Sequence, residues 1–246
     1  MLQSFIIILR EGFEAFLIVA IILAYLNKTH HYSLAPAVYW GIGASVLASA
    51  CMGWLLYQGF NGPFWEGVFG LVSAVFVTVF IVHMLNTAPH LKHEMETGLH
   101  KAVTGKAASS AWLGVFTFTV FMITREGMET VLLILQVQDP QIWTGIFLGV
   151  AASAGMAYLW VRYNHFINLK VFFQVTALFL LLFVIQILIY SFHEFTEAGV
   201  LPYSEFLHSA TEMFSPEGYY GKWFSLLMIG ICALWILASG IAKKKK

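Results

Sequence analysis

The chain has 246 residues, 59% hydrophobic and only 11% charged, with a formal net charge of zero. That composition excludes a soluble globular domain, and the balanced charge gives no electrostatic reason to expect nucleic acid as a partner. Apolar runs of about 20 residues read as membrane-spanning helices, and they lack the alternating polar residues of outer-membrane strands.

Seven such runs are expected, at 2–26, 34–58, 64–86, 109–136, 141–162, 170–192 and 222–242. The first contains Arg10-Glu11-Gly12-Phe13-Glu14. It has no basic leader, and Arg10 and Glu11 interrupt its apolar run, so a cleavable signal peptide is not expected. The second span is uncharged and contains Cys51. Like Cys232 in the last span, Cys51 reads as a small apolar residue. Gly59-Phe60-Asn61-Gly62-Pro63 turns the chain into the third span, which opens with Trp65-Glu66. Leu91, Met95, Leu99 and Val103 then form an i, i+4 stripe among histidines, lysines and glutamates. This predicts an amphipathic helix lying along one membrane face.

The fourth span holds a second motif, Arg125-Glu126-Gly127-Met128-Glu129, and Gln138-Asp139-Pro140 forms the next turn. Spans five and six are joined by a short link around Arg162 to Lys170, and the acid-rich stretch 193–221 leads to the seventh span and Lys243 to Lys246. With the N-terminus outside, the inner segments hold Lys28, Lys92, Lys101, Lys106, Arg162, Lys170 and the terminal lysines. The positive-inside rule therefore selects N-terminus outside, C-terminus in the cytoplasm, in a multi-pass protein of the inner or plasma membrane.

The motifs recur 115 residues apart, and in this orientation their spans run in opposite directions. The fold expected is an all-α polytopic membrane protein: seven transmembrane helices, arranged as two inverted three-helix repeats plus a seventh helix. It forms a single membrane domain, 1–246. Residues 1–88 make the first repeat, 89–108 the inner amphipathic helix, 109–192 the second repeat, 193–221 the acidic outer segment, and 222–246 the last span and lysine tail. Transporters built this way hold their sites near the midplane, where the repeats meet. Glu14 lies ~18 Å and Glu126 ~15 Å from the outer ends of their spans at 1.5 Å per residue, so the two motifs share a depth.

Ionisable side chains at that depth cost roughly 2.5–3.5 kcal/mol each on insertion scales. Within each motif the glutamates are i, i+3 and the arginine is i, i+4 from the second glutamate, so all three share a face. The glycine removes a side chain beside them and lets helices approach closely. Two motifs face to face offer four carboxylates and two guanidiniums, net −2 when ionised, which a divalent cation neutralises. Carboxylate oxygens are hard ligands, suited to iron(III), manganese, magnesium or calcium better than to soft copper(I). A salt bridge that merely fixes packing needs one glutamate per arginine, and each motif has two.

Arg-Glu-Gly-x-Glu on the first and fourth of seven spans resembles the high-affinity iron permeases, the oxidase-linked iron transporters of fungi and their bacterial relatives. Trp65-Glu66-Gly67, His90-Leu91-Lys92-His93-Glu94-Met95-Glu96 and His193-Glu194-Phe195-Thr196-Glu197-Ala198-Gly199 are similar to bacterial members. The resemblance implies that Glu11, Glu14, Glu126 and Glu129 bind iron in transit, with Arg10 and Arg125 in support. It implies iron as transported substrate, no organic cofactor, and a separate oxidase or extracytoplasmic iron-delivery protein as partner, with no enzymatic activity in this chain.

Candidate ligands at the outer mouth are Glu66, Glu194, Glu197, Glu205, His208 and Glu212. His93, Glu96 and His100 are candidates for inner release. Glu66 also fits a plain first-turn acid favoured by the helix dipole. The outer acids and inner histidines equally fit solvated faces. The rival functions are a permease for manganese or lead, and a membrane-embedded di-metal oxidase. The oxidase needs Glu-x-x-His on two helices, and here Glu14 and Glu129 occupy the histidine positions.

Overall fold

The computed structural model describes residues 1–59, 62–87, 91–104, 107–137, 140–163 and 169–200, with Trp223 and Leu227 beyond them. These form α1 (Leu2–Lys28), a 3-10 turn (Tyr32–Leu34), α2 (Ala35–Gly59), α3 (Pro63–Thr87), α4 (Leu91–Val103), α5 (Ala108–Ile134), α6 (Ile142–Tyr163) and α7 (Leu169–Glu197). The first six expected spans correspond to α1, α2, α3, α5, α6 and α7. The seventh, 222–242, lies outside the described residues apart from helical Trp223 and Leu227.

The helix limits follow local chemistry. Gly62 at φ +113° turns the chain into Pro63, a residue pre-set for a first helical position, and Glu66 places its acid in the first turn. The end of α7 departs from expectation. The helix runs five residues past the predicted limit at 192, taking in His193, Glu194 and Glu197. Those residues belong to a helix end, not to a loop, because they have partners there. Phe195 meets Phe64 edge-on at 6.3 Å, and Gly67 leaves room for the Phe195 ring. Gly199, at φ +71°, stops the helix as its N–H reaches the Thr196 carbonyl and that of Val200 reaches Phe195.

Among the described residues, four stretches are long and apolar enough to cross a membrane: Tyr32–Gln58, Pro63–His83, Ile142–Leu159 and Gln174–Glu197. α1 and α5 have 27 residues each, but their charged residues lower their mean hydropathy. The outward faces of α2, α3 and α6 carry Trp40, Leu47, Trp54, Val75, Val79, Trp143 and Phe147, all exposed. An apolar surface this broad belongs against lipid. α4 is the amphipathic helix expected, with Met95, Leu99 and Val103 buried against α1 and α5 while His93, His100 and Lys101 stay exposed.

The helices pair in a symmetric pattern. α1 packs on α6, α2 on α5, α3 on α7, and α1 on α5. Exchanging α1 with α5, α2 with α6 and α3 with α7 returns the same set of pairs. Single residues repeat it. Gly145 of α6 lies against Ser4 of α1 as Gly41 of α2 lies against Thr119 of α5. Gly12 faces Ser153 as Gly127 faces Ser49. Ser4 and Thr119 are 115 residues apart, as are Gly12 and Gly127; Gly41 and Gly145 are 104 apart, as are Ser49 and Ser153. Small residues on these faces let the backbones come close, and that closeness holds the helices together where lipid supplies no hydrophobic drive.

Candidate metal centre

α1 and α5 cross in the middle of this arrangement, and their ionisable residues meet there. Apolar core flanks them on both sides. Ile7 and Leu133 pack into one cluster with Val77, Phe179 and Phe183, while Ile18 and Ile123 pack into another with Ile22, Leu99 and Val115. Five of the six ionisable residues between them are buried. Arg10 and Glu11 are each 1% exposed, Glu126 4%, Glu129 3% and Glu14 8%.

Each arginine serves both glutamates of its own motif. Arg10 pairs with Glu11, and its Nη2 lies 3.0 Å from Glu14 Oε1. The Arg125 Nε donates to Glu129 Oε1 at 3.2 Å and lies 3.7 Å from Glu126 Oε1. The halves differ in exposure: the Arg10 side chain is 2% exposed and that of Arg125 is 32%.

Glu11, Glu126 and Glu129 converge, each offering a carboxylate oxygen so that all three lie within 4.8 Å of one another. Oxygens on opposite sides of one ion, at roughly 2.0–2.4 Å each, are no more than about 5 Å apart, so this spacing fits a single metal. It is the only such group of potential ligands among the described residues. Two of its buried oxygens, Glu11 Oε2 and Glu126 Oε2, have no hydrogen-bond partner among the described residues. Buried carboxylate oxygens without donors are costly, and a cation relieves that cost. Glu14, the fourth expected ligand, stays with Arg10 one turn away on α1 and is not among the three.

The two motif glycines let α1 approach α6 and α5 approach α2 closely. A Cβ on Gly12 would stand 2.7 Å from Ser153 Oγ, and one on Gly127 would overlap Ser49 Oγ. A cavity of about 290 Å³ lies beside the carboxylates, lined by Glu11, Glu126, Ser45, Ser49 and Thr130 with apolar neighbours.

Among the described residues, the other sequence candidates form no group of three potential ligands. Glu66 accepts a hydrogen bond from Tyr190 at 2.8 Å, and Tyr190 also bonds the buried Glu194, so one hydroxyl ties α3 to α7. Glu197 is 3.4 Å from His193 along the same helix. Glu205, His208 and Glu212 lie outside the described residues, as does His90. On α4, His100 Nδ1 lies 3.3 Å from the Tyr25 hydroxyl and 3.1 Å from that of Thr104, while His93 is exposed. Sequence reasoning missed Tyr190. It also missed a buried ladder in which Gln136 donates to Ser73 at 3.4 Å and Gln3 to Gln186 at 2.9 Å. Both bonds join helices far apart in the chain, and no local pattern announces them.

Comparison with known proteins identifies the family. A sequence profile described as the iron permease FTR1 family matches residues 1–238. The chain is 30% identical over 243 residues to the ferrous iron permease EfeU of Escherichia coli O6:H1, covering 94% of this chain and 86% of that one. It is 29% identical over 243 residues to EfeU of Escherichia coli O157:H7, with the same coverage. With EfeU of Yersinia pestis it shares 26% over 213 residues, 81% of this chain and 74% of the other. No solved structure matches it.

Proposed function

Because the chain belongs to the iron permease FTR1 family, we propose that it carries iron across a membrane through one carboxylate site shared by its two Arg-Glu-Gly-x-Glu motifs. The observation that carries the reading is the convergence of Glu11 from α1 with Glu126 and Glu129 from α5. Neither motif alone supplies three oxygens to one point. The relatives' names speak for the ferrous ion as the species moved.

The symmetric helix pairing supports two inverted repeats, with the site where they meet. Apolar core on both sides of the carboxylates is the arrangement of an occluded site, so passage requires the repeats to move relative to each other. Glu66, with Tyr190 and Glu194 beside it, stands where an ion would arrive from outside. The distribution of lysines along the sequence supports a cytoplasmic C-terminus by the positive-inside rule.

Purified protein in proteoliposomes tests this. Iron is expected to accumulate saturably, with iron(II) preferred over iron(III) and over manganese. Glu66→Gln is expected to raise the KM several-fold at nearly constant maximal rate, because the outer acid concentrates cations. In a cysteine-free version in intact cells, Val200→Cys is expected to react with an impermeant thiol reagent and Thr97→Cys to be spared. Absence of iron uptake, or a preference for manganese, would overturn the iron assignment. Equal labelling at both positions would overturn the orientation.

A further inference from the structure

We propose that Ser49 of α2 supplies a neutral oxygen ligand to the ion held by Glu11, Glu126 and Glu129, and thereby helps set which metals the site accepts. The inference rests on the permease reading and extends it to a helix that carries no motif.

Three hydroxyls line the cavity beside Glu11 and Glu126. Ser45 donates to the Gly41 carbonyl at 2.7 Å, and Thr130 donates to that of Glu126 at 2.9 Å. These are the ordinary i−4 bonds by which helical hydroxyls satisfy themselves. Ser49 is 8% exposed, its Oγ is fully buried, and that oxygen has no partner among the described residues. It leans towards α5, so close to Gly127 that a Cβ there would overlap it, one residue from Glu126, whose Oε2 is also unpaired. Its counterpart under the exchange of repeats, Ser153, faces Gly12 but donates to the Val150 carbonyl at 3.0 Å. Of two equivalent serines, one is satisfied within its own helix and the other's oxygen is buried against α5 with no partner among the described residues.

The chemistry completes the argument. Three carboxylates leave a six-coordinate divalent ion short of oxygen donors, and a hydroxyl is a hard, uncharged one. Serine there favours iron(II) over softer ions. A thiolate in its place favours cadmium and zinc.

The test uses full-length protein with Cys51 and Cys232 replaced by alanine, and metal binding is read at equilibrium in detergent. Ser49→Cys is expected to raise the ratio of cadmium to iron(II) affinity by about tenfold or more, following ligand softness. Ser153→Cys, equally tightly packed, is expected to leave that ratio within about twofold. Ser49→Ala is expected to weaken iron(II) binding severalfold without lowering the yield of folded protein, and it stands in should the cysteine variant not assemble. An unchanged ratio in folded Ser49→Cys, equal shifts at both serines, or unaltered iron binding by Ser49→Ala would overturn the inference. Parent protein and Glu126→Gln run alongside. If the parent binds no iron, or Glu126→Gln binds as the parent does, the permease reading falls and this one with it. If those two behave as expected, a null result at Ser49 counts against Ser49 alone.

Discussion

Glu11→Gln and Glu126→Gln are each expected to reduce iron uptake by about 100-fold or more, and the double variant to be scarcely worse than either. Even groups that only orient metal ligands change affinity or activity by about 10–100-fold when removed, so loss of a ligand sets at least that scale. The two glutamates come from different motifs, and each leaves one buried oxygen unpaired beside the other. Groups that act as a unit are strongly non-additive when removed together. Glutamine keeps the volume and one carbonyl oxygen, so the charge is what changes, and the amount of protein in the membrane checks for misfolding. If each single variant keeps about half the uptake and the double loses all of it, the motifs work separately.

The second large effect is expected at the helix crossing. Alanine is ordinarily favoured over glycine within a helix by roughly 0.5–1 kcal/mol. At Gly12 the added Cβ would stand 2.7 Å from Ser153 Oγ and 3.1 Å from Ser153 Cβ. Overpacking of this kind costs about 1–3 kcal/mol, so the clash outweighs the propensity. Gly12→Ala is therefore expected to lower the melting temperature in detergent and to impair uptake by spreading α1 from α6 and shifting Glu11. Adding Ser153→Ala removes the nearer atom and is expected to restore stability to at least the parent level. Failure of that second change to restore stability would show that Gly12 is required for another reason. A Gly12→Ala protein as stable and active as the parent would show that the close approach does not matter.

Most of the fold was legible because the bilayer makes its signal simple. Apolar runs gave α1, α2, α3, α5 and α6 to within two residues at each end. The sixth expected span stops short of the end of α7 because charged residues read as the start of a loop. His193 and Glu194 are instead buried on the helix, a tertiary outcome that composition does not encode. The site was half legible. Motif spacing puts three ionisable groups on one face of each helix, but it does not say that Glu11, while paired with Arg10, also lies with Glu126 and Glu129 of α5. One overlooked signal was in plain view. Gly41, Ser45 and Ser49 recur as Gly145, Gly149 and Ser153, small residues every fourth position on the second helix of each half. That is the packing face for the opposite motif. Reading it as a repeat would have named both Ser49 and the helix pairs in advance.

Equilibrium binding of iron(II) to the purified protein tests most directly the claim that the two motifs build one site. The expected result is one tightly bound ion per chain, with binding essentially lost in Glu11→Gln and equally in Glu126→Gln. Two ions per chain in the parent, with one retained when either glutamate is replaced, would contradict it.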